Sequence, residues 1–198
     1  MSLTAPTGSV SNIEPLEPAT YPARLQMVLD LGLQAQSFMG QEKPPANELL
    51  LGFELLDEFL DGEDGEPDLT KPRMFSRRMP LRSLDNDKAN STKFYNVLDP
   101  TGQFSGDFSQ TIGTPVLVTL VQSVRRSDGR VFNNIDRISP MRAKDAEVAD
   151  PMVQEPTVLD LDNFQAATFD RLPEWMQRII RNGIGFDEAA KRREEVPF

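Results

Sequence analysis

Two short stretches hold side chains that could act together. Lys71, Arg73, Phe75, Arg77 and Arg78 fall within KPRMFSRRMP (71–80), and Arg125, Arg126, Arg130 and Phe132 bracket an Asp128-Gly129 turn. Cations spaced around an aromatic ring can neutralise a row of negative charges while the ring stacks on a flat partner. That chemistry is binding, not bond making. The chain has no cysteine and no histidine, so disulfides, thiolate and imidazole nucleophiles and Cys/His zinc sites are excluded. Carboxylates remain, but the acidic loop DGEDGEPD (61–68) lacks the spacing of a calcium loop. Asp68 is followed by no acidic-x-Lys element at nuclease spacing. The expectation is a non-enzymatic protein without a cofactor.

Charge distribution sharpens this. The 198 residues carry a net charge of −10. Residues 1–70 hold 13 acidic and 2 basic side chains, whereas residues 71–93 hold 7 basic and 2 acidic. A basic island in an acidic chain is a local field of the kind that selects polyanions. No apolar run approaches the roughly 20 residues that span a bilayer, and no charged-then-apolar signal-peptide pattern is read in these residues. A cytoplasmic, membrane-free protein is expected.

These cations need elements to hold them. Residues 114–140 open with β-branched and aliphatic residues from Val116 to Val124, then reverse at Asp128-Gly129 and run out through Val131, Phe132, Ile135 and Ile138. Asp-Gly between two such runs predicts a hairpin with a tight type I′ turn. The arginines then sit at its tip. Upstream, Ala23, Leu25, Met27, Leu29 and Leu31 alternate with other residues and predict one half-buried strand. Residues 34–47 read as a loop carrying Phe38 and Lys43. LLLGFELLDEFL (49–60) suits a helix by composition, but Gly52 interrupts it and alternation favours a strand. The basic island reads as a third strand, with Lys71, Arg73, Phe75 and Arg77 on one face and Arg78 on the other. A short helix, capped by Asn90 or Ser91 and ending near Leu98, presents Phe94, Val97 and Leu98.

The predicted order is therefore strand, strand, strand, helix, strand, strand. That is the order of an OB-fold, a five-stranded Greek-key barrel, although other small β-barrels share the inventory. Mapped on such a barrel, residues 34–47, 49–60, 71–79 and 125–130 form one oligonucleotide face. Candidate phosphate contacts are Lys43, Lys71, Arg73, Arg77, Arg78, Arg125, Arg126 and Arg130. Candidate stacking residues are Phe38, Phe75, Tyr95 and Phe132. Beyond Pro140 the chain reads as a polar linker to about residue 156, followed by RLPEWMQRIIRN (171–182). There Leu172, Trp175, Met176, Ile179 and Ile180 recur at helical spacing. This helix packs back on the domain or serves a partner.

The last five residues, Glu194, Glu195, Val196, Pro197 and Phe198, resemble the acidic, Pro-Phe-ended tip of bacterial single-stranded-DNA-binding proteins. Lys191-Arg192-Arg193 departs from that family's purely acidic approach. YPARLQMVLDLG (21–32), GQEKPP, FELLDE and KPRMFSRRM resemble phage-encoded single-stranded-DNA-binding proteins of the OB type. The resemblance implies a protein that coats single-stranded DNA with little sequence preference during phage replication or recombination. It also implies recruitment of replication or recombination proteins through residues 194–198. The expected organisation is a flexible arm (1–20), an OB domain (21–140) and a linker, helix and tail (141–198), with self-association left open. The alternative is a phage virion or assembly subunit built on a β-barrel.

Overall fold

The computed structural model describes residues 13–186. Three long strands follow one another: β1 (Thr20–Phe38), β2 (Gln41–Asp61) and β3 (Pro67–Pro80), each antiparallel to its predecessor. A helix, α1 (Asn90–Leu98), and a 3₁₀ turn (Phe108–Thr111) lead to the hairpin β4 (Pro115–Val124) and β5 (Val131–Pro140). The spatial order is β3-β2-β1-β4-β5, and β6 (Thr157–Leu159) adds to β1 in parallel. The protein is mainly β, in the predicted order of elements. No backbone ladder joins β3 to β5; the Arg77 guanidinium donates to the Ile135 carbonyl across that gap at 2.8 Å.

The continuous apolar run of β2 has a physical cause: it is covered on both faces. Leu49, Leu51, Phe53 and Leu55 enter a core with Leu25, Phe94, Val118 and Ile135, while Leu50 joins Leu29, Leu31, Leu159, Met176 and Ile180 behind the sheet. Gly52 belongs in this strand because of close approach. A Cβ at that position would lie 2.8 Å from the Met27 Cβ. The single-face alternation predicted for β1 is corrected by a register shift between Leu25 and Met27. Such a bulge reverses which side chains point inward. Ala23, Leu25 and Val28 therefore serve the first core, and Leu29 and Leu31 the second.

Residues 34–47 do not form the expected loop. β1 and β2 continue as a two-stranded ladder out to the Phe38–Gln41 pair, closed by Met39 and Gly40, both at positive φ. The arginine hairpin also differs in its turn. Only Gly129 has positive φ, and residues 126–129 form a four-residue loop closed by an Arg125 N–H to Arg130 carbonyl bond of 2.8 Å. A type I′ turn would need positive φ at Asp128 as well.

The stretch expected to be a linker, 141–156, contains a short helix, α2 (Ala143–Glu147), and then runs along the sheet. Arg24 donates to the carbonyls of Ala149 and Asp150, Gln26 donates to that of Glu155, and the buried Glu54 carboxylate accepts from the N–H groups of Val153 and Gln154. After β6 come α3 (Ala166–Arg171) and α4 (Glu174–Arg181), the latter starting at Pro173. Met176 and Ile180 of α4 are buried against the back of β1, and Trp175 stays half-exposed. The helix packs on the sheet. No helix among the described residues is long and apolar enough to cross a membrane.

Candidate nucleic-acid interface

β3 alternates as its sequence predicts, and this decides which cations share a surface. Arg73, Phe75 and Arg77 turn towards β5, where Phe75 lies against the first core. Met79 of the same row is buried. Arg78 points to the opposite face and pairs with the buried Glu48, which also accepts from Gln36. The two edge strands run in the same sense: Arg73 and Phe75 lie beside residues 131–133, and Arg77 reaches Ile135. Between them is a shallow cavity of about 240 Å³ lined by Arg73, Phe75, Arg125, Arg130, Phe132 and Asn133, with Ile13 and Pro15 over it.

Two arginine–phenylalanine pairs face this cavity. The Arg73 guanidinium carbon sits 5.9 Å from the Phe75 ring centroid, and that of Arg125 sits 6.0 Å from Phe132. Each such contact contributes roughly 0.5–1 kcal/mol at an exposed site. Each guanidinium already has one partner, the Glu14 carbonyl for Arg73 and the Asp128 carboxylate for Arg125, so an anion entering here would compete with or join these contacts. Arg125 shares charge with Asp128 at 3.3 Å, whereas the side chains of Arg126 and Arg130 form no hydrogen bond or ion pair among the described residues. The tip is cationic and open.

The remaining candidates are distributed otherwise. Lys71 is held by Asp68 at 2.8 Å, and hydrogen bonds from Lys71 and then Thr70 keep that carboxyl down at about 2. Phe38 and Lys43 lie on the β1–β2 extension, where the register puts them at the end of β1 away from the arginine tip. Phe38 is 62% exposed and Met39 88%. Tyr95 is corrected outright. It is buried in α1, edge-on to Phe108 at 4.9 Å, donates to Asp99 at 2.9 Å and accepts from the Gly106 N–H at 2.8 Å. Burial pushes its pKa up. It has no face to offer a base.

The face mapped over 49–60 is corrected too. The middle of β2, from Leu49 to Leu55, is buried throughout, so solvent-facing cations collect along the β3–β5 seam instead. Residues 194–198 lie outside the described residues. Sequence reasoning missed Asn133. Asn133-Asn134 in mid-strand, where β-branched or aromatic residues would suit a pleated surface better, was the available signal. No protein-family model matches the chain, and no curated protein matches its sequence.

Proposed function

We propose that this is a non-enzymatic single-stranded-DNA-binding protein whose five main strands form an OB-type barrel, closed between β3 and β5 by side chains. The strand order β3-β2-β1-β4-β5 is that of such a barrel opened between its third and fifth strands. The Arg77 bridge and the common direction of the two edges support the closure. The observation that carries the function is the pair of Arg–Phe contacts facing one cavity beneath a cationic hairpin tip. Grooves for single strands combine cations that track phosphates with rings that stack on bases, because every base has a π-face. Duplex DNA hides those faces. A strand laid along β3 would pass from the arginine tip towards Phe38 and Lys43, consistent with little sequence preference.

The testing experiment is a titration of the full chain with oligo-dT and with duplex of equal length across a salt series. Preference for the single strand, weakening as salt rises, supports the reading. Equal affinity for both, or no salt dependence, overturns it. For the tail, removal of residues 194–198 is expected to abolish capture of replication or recombination proteins while leaving DNA affinity intact. Loss of DNA binding in that variant would make the tail structural.

A further inference from the structure

The described part of the N-terminal arm does not wave in solvent; it lies in the groove. Arg73 donates to the Glu14 carbonyl at 2.7 Å, Gln122 donates to the Leu16 carbonyl at 2.9 Å, and the Leu16 side chain packs on the core. The reciprocal relationship is with Asn133. The Leu16 N–H donates to the Asn133 Oδ1, and the Asn133 Nδ2 donates to the Leu16 carbonyl, both at 2.8 Å and partly buried. One side-chain amide thus embraces one donor and one acceptor of a peptide. Asn133 follows Phe132 on β5 and lines the same cavity as Phe132 and Phe75, the two rings that would receive bases.

A paired donor and acceptor is also what the edge of a base presents, and Asn or Gln amides read base edges through that bidentate geometry. We propose that Asn133 is a base-contacting residue of the groove, occupied by the Leu16 peptide in the free protein and released to a base when single-stranded DNA displaces residues 13–17. This rests on the DNA-binding reading above and adds a residue and a sequence of events to it. The exchange conserves hydrogen bonds: the Asn133 amide trades one donor–acceptor partner for another, and the freed peptide goes to water. Arg73, released from the Glu14 carbonyl, becomes available to a phosphate. The carboxylates of Glu14 and Glu17 leave the vicinity of the phosphates with the arm. Each Watson–Crick edge offers an adjacent donor and acceptor, so one amide serves any of the four bases. Ala19 marks the pivot, since the Leu120 N–H holds its carbonyl at 2.9 Å and β1 is laddered to β4 from Thr20 onward.

The chain contains no cysteine, so a single Ile13→Cys substitution gives a unique site for a nitroxide on a half-exposed residue. Oligo-dT and an abasic deoxyribose-phosphate oligomer of equal length are then titrated into the labelled full chain, with and without Asn133→Ala. The expected results are a rise in nitroxide mobility when oligo-dT binds and a roughly tenfold fall, caused by Asn133→Ala, in the ratio of dT affinity to abasic affinity. Release of the arm affects both oligomers alike, so the ratio isolates the base contact. A nitroxide that stays immobile in the complex, or an unchanged ratio, overturns the inference while leaving DNA binding in place. Failure of the unsubstituted chain to bind either oligomer overturns the functional reading and this inference with it.

Discussion

The guanidinium of Arg77 on β3 donates to the main-chain carbonyl of Ile135 on β5, 58 residues later, across a gap that no backbone ladder closes. One side chain therefore spans the two sheet edges that flank the candidate groove. Replacing Arg77 with Met keeps the aliphatic stem and deletes the bridge. A hydrogen bond from a charged donor contributes about 1.5–3 kcal/mol, less where water reaches it. Arg77→Met is expected to lower unfolding free energy by about 1–2 kcal/mol in urea titration and to weaken oligo-dT binding. A variant as stable as the parent would show that other packing holds the seam.

The arginine tip separates charge from folding. Arg125, Arg126 and Arg130 are exposed in a loop closed by backbone hydrogen bonds. Changing all three to Glu is expected to leave the thermal midpoint within a few degrees. The slope of log affinity against log salt should flatten by about 2, at roughly 0.7 per phosphate contact on single strands. An unaltered slope would remove the tip from the interface.

Lys71 is restrained by Asp68, 2.8 Å away. With the carboxyl held at about 2, the stabilisation from the pair is fully present above the ordinary carboxylate range and is lost as pH falls through about 2. Asp68 titration therefore leaves DNA affinity unchanged between pH 5 and 9. Asp68→Asn frees the ammonium at neutral pH and should tighten oligo-dT binding about two- to threefold at low salt, by removal of one competing charge. Weaker binding would mean that the pair positions Lys71 productively.

Tyr95 separates core from interface. Tyr95→Phe removes the donor to Asp99 and the acceptor for the Gly106 N–H in a buried setting. Loss of a buried partner costs about 1–3 kcal/mol. The expected outcome in urea titration is a loss of that size with oligo-dT affinity unchanged. A specific loss of affinity in a fully stable variant would return Tyr95 to the interface.

At the other end of the path, Phe38 is largely exposed and its loss should not disturb packing. Phe38→Ala is expected to leave stability unchanged and to weaken long oligo-dT by about 1–3 kcal/mol, one stacked base. Oligomers too short to reach from the tip should bind as before. Equal losses for short and long oligomers would contradict a path along β3.

Much of the fold was legible because it is local. Alternation, the Asp-Gly reversal and the Pro173 helix start are patterns over a few residues, and β1 to β5 and α4 lie where those patterns do. α1 follows too, but with Ala89 at its N-cap and no side-chain cap, not the expected Asn90 or Ser91. α2, β6 and α3 left no such pattern. The extent of β2 was not legible, because residues 41–48 owe their strand to pairing with residues 32–38. Hydrogen bonding to another strand leaves little mark on composition. Residues 141–156 looked patternless for a similar reason. They are held through backbone groups by Arg24, Gln26 and Glu54, more than ninety residues away in the chain.

By itself the sequence determined the β-rich class, the order of elements and the two clusters of cations and rings, since periodicity and side-chain type need no partner to be read. Tertiary structure decided which members of those clusters meet. Alternation on β3 sends Arg73 and Arg77 to one face and Arg78 to Glu48 on the other, burial removes Tyr95, and the bulge after Leu25 divides β1 between two cores. Only the folded chain brings Leu16 to Asn133, because a peptide and an amide 117 residues apart recognise each other through geometry, which no local pattern encodes.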